Sequence, residues 1–563
     1  MQLICKIIIV SILLIFLAWL IHKDKLFLNK YEYNYNNNNK YYKKNKQTVN
    51  ALIWKYPFPE LNPHFNFGLV VPDINKVSIA ISGGGVRSYS ACVGYFRALY
   101  RYGLINNIQY VSTVSGGSWF YGLYSYCSHV EEKTLLGNSL KPENMTLNKL
   151  AKYNKNNEYF MGHIFTKKDI LEYLLEEFLN IKNDEIDLVW NNAIGKMILE
   201  PYNIDFKNPI AMNKEHANSI LSRNPNIKKV LYSRYKSFWL CNTTLCDELF
   251  PHIVVPLTPL YGGFHQKLYN NGNMTGGTLV ENHSFGSEIE KQKDTSIETV
   301  NNIKTLTDMI GTSSTAYATM LYKQSKNNNV LKYILPKDLT SLIPNYNILG
   351  DIVNSTSKLA DGGFSDNTGI LSLAARNVKH IIAFANIHNS IESKCQINIL
   401  PLFGIFSENC NKLDTLSPTG NFDVQIFNTE DYEKYIKPQF SKTRIDGGPV
   451  FARHTLEVIQ NEKNGVNGGY SVDILFIVLE PSRNFLDKLP DEIKKEITNV
   501  PLKSFKKHHG KFNKFPNYDV AFHNFEKGML YLSLSQINLL SSYTDWCLQQ
   551  PELKKHVMEM FSY

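Results

Sequence analysis

Ser115 is the residue whose type and setting first suggest chemistry. It stands in YVSTVSGGSWF, after a β-like run and directly before Gly116 and Gly117. A serine at a sharp strand-to-helix turn has its hydroxyl lifted above the sheet, and small neighbours let adjacent backbone pass closely. Such a hydroxyl attacks an acyl carbonyl once a base takes its proton. Two positions before it is Thr113, where glycine is usual in turns of this kind. Ser118 has Gly116 two positions before it but Phe120 two positions after it, and it falls inside the expected helix. Ser112 falls inside the expected strand. Taken alone, a serine followed by two glycines is more often a plain glycine turn than a nucleophile.

A second glycine cluster raises the interest of the first. Gly83, Gly84 and Gly85 end one strand-like run and precede a helix-like run. Glycines there allow unusual dihedrals and expose backbone N–H groups, and the helix dipole adds partial positive charge. Such a loop holds an anion. One reading is a phosphate loop, but no GxxxxGK[ST] pattern is present. The other is an oxyanion hole beside the serine, for acyl transfer. Arg87 would add fixed positive charge near an anionic head group, or else be a surface arginine on the first helical turn.

The elements that must carry these residues read as follows. A strand is expected at 77–82 and a helix from Ser88 to Tyr102, which presents Tyr89, Cys92, Val93, Phe96, Leu99 and Tyr100 on one face and stops at Gly103. A strand at 108–114 and a helix from about 117 follow. This βαβα start implies a parallel sheet. Far downstream, LADGGFSDNTGILSLAARNVKHIIAFANIH reads as loop, helix and strand, with Asn367 as N-cap and His380–Ala385 as the strand. SVDILFIVLEP at 471–481 reads as another buried strand ended by Pro481. One α/β core is therefore expected over 51–563. Within it, the more polar and irregular span at about 128–350 reads as an insertion or cap.

The chain has 563 residues, 43% of them apolar and 20% charged, which is globular composition. The net charge of +9, from 60 basic and 51 acidic residues, is modest for this length. With no concentrated basic stripe outside 40–46, nucleic-acid binding is excluded as an expectation. Residues 1–22 are apolar from Leu3 to Ile21, broken by Lys6 and Ser11, and just long enough to span a bilayer. A retained anchor is expected, with a cleaved signal peptide as the competitor. Lys23, Lys25 and Lys30 after the span outnumber Lys6 before it, so the positive-inside rule favours a cytosolic body by a small margin, with a lumenal one left open. Residues 23–50, rich in Asn, Lys and Tyr, read as a tether. The eight cysteines form no CxxC pair, so no metal site is indicated. Cys241 with Cys246, or Cys395 with Cys410, are disulfide candidates in a lumenal protein, and isolated buried thiols are the alternative.

Together, SGGGVRS, YVSTVSGGSWF and LADGGFSDNTGI resemble the patatin-like and cytosolic phospholipase A2 superfamily of lipid acyl hydrolases. LTPLYGG, GGTLVENHSFGSE, DMIGTSSTAYA, FPNYDVAFHN and LSLSQINLLSSYTDW are similar to further segments of that family. The resemblance spans roughly residues 70–550. It implies a patatin-like three-layer core, with a mostly parallel central sheet between helices, and a serine lipid acyl hydrolase of phospholipase A2 or lysophospholipase type. It also implies Ser115 as nucleophile and Asp361 as its base, with Gly83, Gly84, Gly85 and Gly116 around the oxyanion and Arg87 at the head group. No cofactor is expected, and the expected partner is a phospholipid or lysophospholipid at a membrane surface. A calcium-binding membrane domain is not expected in the fifty or so residues before the body. Three other readings stay open: an acyltransferase on the same fold, a Ser-His-Asp esterase using His380, His388, His454 or His523, and a lipid-binding pseudoenzyme marked by Thr113.

Overall fold

The structure is a computed structural model that describes residues 48–563 apart from 63–66, 69, 169, 181–187, 247–250, 271–272, 301–302, 317–344, 350–353, 394–397, 407–422, 499–509 and 519–529. The expected anchor and nearly all of the expected tether lie outside the described residues. Residues Val49–Tyr563 form one compact unit. Among the described residues no helix is long and apolar enough to cross a membrane.

A 14-stranded sheet runs through the unit. Its strands are β1 (Thr48–Trp54), β2 (Val77–Ile81), β3 (Tyr110–Val114), β4 (Phe238–Cys246), β5 (Pro251–Leu257), β6 (Tyr261–Gly262), β7 (Leu279–Glu281), β8 (Glu288–Gln292), β9 (Ser296–Val300), β10 (Asn345–Leu349), β11 (Asn354–Asp361), β12 (His380–Ala385), β13 (Val450–Val458) and β14 (Tyr470–Val478). They lie in the order β8-β9-β1-β7-β6-β5-β4-β3-β2-β12-β14-β13, with β11 also on β4 and β10 on β11. The five strands from β4 to β14 are mutually parallel. The flanks, including β5 on β4, β11 on β4 and β13 on β14, are antiparallel. The expectation of a mostly parallel sheet thus holds for the centre and not for the whole.

The expected insertion at 128–350 is divided. Residues 238–300 supply six strands of the main sheet, with β4 paired directly to β3. The polarity that suggested a cap is misleading here. Asn242, Thr243 and Thr244 of β4 are buried with every side chain hydrogen-bonded, which makes a polar strand tolerable inside a sheet.

Two helices cover the site strands. Helix α1 spans Gly85–Arg101 and α2 spans Gly116–Tyr126. All of α1 from Gly85 to Leu99 is buried, where the sequence suggested a single apolar face. The second face is covered by the penultimate helix, Leu534–Gln549. Gly94 permits that crossing, since a Cβ there would lie 2.0 Å from the Ser541 carbonyl oxygen. Thr544 Oγ1 donates to the Ala91 carbonyl at 2.8 Å, and Arg101 grips Asp545 at 2.9 Å. This packing fixes α1, whose first turn faces the catalytic candidates. Cys92, Cys127, Cys241, Cys246 and Cys547 are free thiols. Cys241 and Cys246 are five residues apart on one strand and so point to opposite faces. Cys395 and Cys410 lie outside the described residues.

Candidate active site

Strand β4 is the template that brings Ser115 and Asp361 together. β3 runs parallel to it, with Val114 opposite Asn242. β11 runs antiparallel to it, with Asp361 opposite Thr243. Since β5 occupies the other edge of β4, β3 and β11 share one edge and approach each other head-on. Their last residues meet where β4 passes from Asn242 to Thr243. Ser115 leaves the end of β3 there with φ 52° and ψ −118°, a strained backbone for a residue with a Cβ. Gly362 lets the other chain turn away: a Cβ on it would sit 2.5 Å from the Asn242 carbonyl oxygen.

Ser115 Oγ donates to Asp361 Oδ2 at 3.0 Å. The carboxylate also accepts the Gly363 N–H on Oδ1 at 2.8 Å and the Ala316 N–H on Oδ2 at 3.3 Å. Ser115 is 4% exposed and Asp361 2%. Burial pushes the Asp361 carboxyl up to about 7, against the three hydrogen bonds, which favour its charged form. A carboxylate of that basicity is matched to taking a proton near neutral pH.

The two glycine turns touch. A Cβ on Gly116 would lie 2.1 Å from the Gly85 carbonyl oxygen, so only glycine lets the starts of α1 and α2 approach this closely. Gly84 has φ 133°, and the first helical N–H with an acceptor in the turn is that of Ser88, bonded to the Gly84 carbonyl at 3.3 Å. The Gly84 and Gly85 N–H groups therefore belong to the helix end that has no acceptor of its own. Gly83 differs, because its N–H donates to the Asn367 carbonyl at 3.0 Å. Its role is close fit: a Cβ would be 3.3 Å from Ser115 Cβ.

Arg87 is buried at 5% exposure. Its Nε donates to the Asn386 carbonyl at 3.2 Å and its Nη1 to the Tyr518 carbonyl at 2.7 Å. Nη2 lies over Gly84, 2.9 Å from where a Cβ would be. The guanidinium thus braces the glycine loop from within the fold.

Several residues around the dyad escaped the sequence reading. Asn367 is not the cap of the helix that follows, Ile370–Ala374. Asp366 serves that end, accepting the Leu371 N–H at 2.8 Å. Asn367 instead sets its Oδ1 against both Gly83 and Gly363, beside the dyad. Ser313 and Ala316 hold Ser115 and Asp361 respectively. Both stand in DMIGTSSTAYA, so a signal existed, but only in that family-like segment and not in residue chemistry.

The histidine candidates separate by strand end. His380 opens β12 opposite Val77, and His454 pairs with Ile474 one step from there, both at the amino edge of the parallel strands. The dyad sits at the carboxyl edge, five to six residues further along the strands, roughly 17–20 Å at about 3.3 Å per residue. His388 follows the carboxyl end of β12, and His523 lies outside the described residues. Among the described residues no cluster of three or more His, Cys, Asp or Glu is arranged to hold a metal.

No family model matches the sequence, and no curated protein matches it. Among solved structures the chain is similar to human GIVD cytosolic phospholipase A2, at 12% identity and a TM-score of 0.46, over 90% of this chain and 62% of that one. The same enzyme in complex with methyl gamma-linolenyl fluorophosphonate and terbium chloride gives 14% identity and a TM-score of 0.40, over 87% and 60%. The chain thus spans less than two thirds of the length of these structures. The likeness is too loose to assign an activity, which has to come from the residues around Ser115.

Proposed function

We propose that this chain is a serine lipid acyl hydrolase that cleaves a fatty acyl ester of a phospholipid or lysophospholipid through a Ser115–Asp361 dyad. The observation that carries this reading is the 3.0 Å hydrogen bond from Ser115 Oγ to a buried Asp361 carboxylate at a strained strand-to-helix turn. The lipid class follows from the family-like motifs alone. Ser115 Oγ attacks the ester carbonyl carbon while its proton passes to Asp361 Oδ2. The carbonyl oxygen becomes an oxyanion facing the Gly84 and Gly85 N–H groups and the starts of two helices. As the carbon–oxygen bond to the leaving alcohol breaks, Asp361 returns the proton to that oxygen and leaves an acyl-serine. Water then attacks the acyl carbon, gives its proton to Asp361, and the proton returns to Ser115 as the fatty acid departs. An alcohol in place of that water would make the same site an acyltransferase.

Thr113 does not by its side chain argue for a dead site. Its Oγ1 accepts from Trp239 Nε1 at 2.9 Å and lies 2.8 Å from Ser118 Oγ, so the hydroxyl has partners where glycine would have none. We place Arg87 in this reading as a brace and fixed charge behind the oxyanion loop. The apolar segment at 1–22 would keep the protein at a membrane, and deleting residues 1–25 should then move it to the soluble fraction.

The test is capture of the full chain by a fluorophosphonate probe, followed by product analysis on mixed-chain phospholipids and lysophospholipids. A single adduct on Ser115 and release of fatty acid are expected. An unlabelled but folded chain would leave the pseudoenzyme reading in place.

A further inference from the structure

The turn after the helix Leu306–Thr312 touches both members of the dyad, and the mechanism gives it no role so far. Ser313 Oγ accepts the Ser115 N–H at 3.0 Å. It donates to the Asn242 carbonyl at 2.7 Å. Three residues on, the Ala316 N–H reaches Asp361 Oδ2 at 3.3 Å. Ser118 Oγ lies 2.9 Å from Ser313 Oγ and 2.8 Å from Thr113 Oγ1, which accepts the Trp239 indole N–H at 2.9 Å. Thr113, Ser118, Ser313 and Trp239 are all buried.

Hydrogen-bond arithmetic fixes the direction of this chain. Each hydroxyl has one proton. Ser313 gives its proton to the Asn242 carbonyl, so at the Ser118 contact Ser118 must donate. Ser118 then accepts from Thr113, which accepts from Trp239. The shorter contact to Ser118, at 2.8 Å, is favoured for the Thr113 proton over the Leu240 carbonyl at 3.5 Å, and the last acceptor, Ser313 Oγ, receives both the Ser118 proton and the Ser115 N–H. Between fixed neighbours, relaxing Ser115 to a negative φ requires the 114–115 peptide to rotate, which would turn its N–H away from Ser313 and leave it unpaired in a buried site.

We propose that Ser313 is a positioning residue, the end of a directed chain through Trp239, Thr113 and Ser118 that holds Ser115 in its strained turn and so aims its hydroxyl at Asp361. The proposal rests on the Ser115–Asp361 reading. It gives a reason for threonine where glycine is usual, since only a hydroxyl at 113 links Trp239 to Ser118. The same turn carries Ala316, so one short segment sets both sides of the Ser115–Asp361 hydrogen bond.

The test measures fluorophosphonate labelling of the full chain as two quantities, the first-order labelling rate at saturating probe and the final fraction of chains labelled. A labelled wild type comes first, because an unlabelled wild type would sink the dyad reading itself. Misplacing a nucleophile slows the step without removing the site, so Ser313→Ala should lower the rate about twentyfold while the final fraction stays near one label per chain. Thr113→Val keeps the side-chain shape and removes only the hydroxyl, and should lower the rate about threefold. A role in folding alone would do the reverse: the labelled fraction would drop and the surviving molecules would react at the wild-type rate. That result, or unchanged rates in both variants, overturns the proposal. If Ser313→Ala does not fold, the Thr113→Val and Ser118→Ala rates decide in the same way.

Discussion

Among the buried carboxylates of the described residues, Asp361 and Glu281 are treated in opposite ways. Asp361 meets a hydroxyl and two backbone N–H groups, and among the described residues no cation pairs with it. Glu281, at the end of β7, is gripped by both Nη atoms of Arg223 at 2.6 Å and by His216 at 3.0 Å, and it accepts the Leu52 N–H at 2.8 Å. Burial pushes both carboxyls up. At Glu281 the electrostatic pull of His283 and the hydrogen bonds from Arg223 and His216 outweigh that and hold it well below the usual carboxylate range. At Asp361 nothing outweighs it, and the carboxyl rises to about 7. A buried acid given a cation is a fastener for β1 and β7. Asp361, denied one, is in the proposed reading a base kept ready for a proton.

The comparison breaks first on activity. Asp361→Asn and Ser115→Ala should each lower turnover by about 1,000-fold or more, and combining them should cost little extra, because the two act as one unit. Glu281→Gln should leave turnover per folded molecule within about twofold, as it touches no group of the dyad. On stability the ranking reverses. Glu281→Gln removes the partner of Arg223, and the loss should be about 2–4 kcal/mol in denaturant unfolding, with Arg223 at 24% exposure keeping it from the top of the range for buried pairs.

The pH dependence sharpens the contrast, because the signs differ. Asp361 has a folded pKa near 7 against an unfolded value of about 4. Between those values the folded state holds a proton that the unfolded state has lost, so its contribution to stability falls as pH rises through that window. Asp361→Asn should therefore melt several degrees above wild type at pH 8, with the gap closing by pH 4. Glu281 has a depressed folded value, so its contribution is full above about pH 4.3 and is lost as pH falls towards that lower value. Thermal melts of the two variants and wild type across pH 4–8 check both slopes. The smallest effect is expected at the amino edge of the sheet, where His380→Ala and His454→Ala should leave turnover within about 1.5-fold. A larger loss there would tie the far edge to the chemistry.

Some of this was legible in the sequence because local and global demands agree there. Apolar runs followed by glycines marked β2 with α1 and β3 with α2, and the helix Gly85–Arg101 differs from its expected start only by opening three residues earlier. His380–Ala385 is a strand as read. Other features depend on contacts that sequence does not display. β4 looked polar because Asn242, Thr243 and Thr244 are satisfied by neighbours distant in the chain. Asn367 looked like a cap because its type suits one, but Asp366 is better placed to serve the helix N–H groups. Ser313 stands in a family-like segment but carries no residue-level signal, and only its bond to the buried Ser115 N–H singles it out. The meeting of β3 and β11 on one edge of β4 is a fact of topology, and no spacing between Ser115 and Asp361 announces it.

Whether Asp361 alone activates Ser115 is decided by single-turnover acylation of folded variants. Wild type should acylate with a rate that rises with pH through about 7, as the Asp361 carboxyl loses its proton. Asp361→Asn should fall to the level of Ser115→Ala. His388→Ala, the described histidine candidate at the carboxyl edge, should keep most of the rate and the same pH limb. If His388→Ala instead falls to the level of Ser115→Ala while Asp361→Asn retains substantial acylation, the base is a histidine and the dyad is wrong.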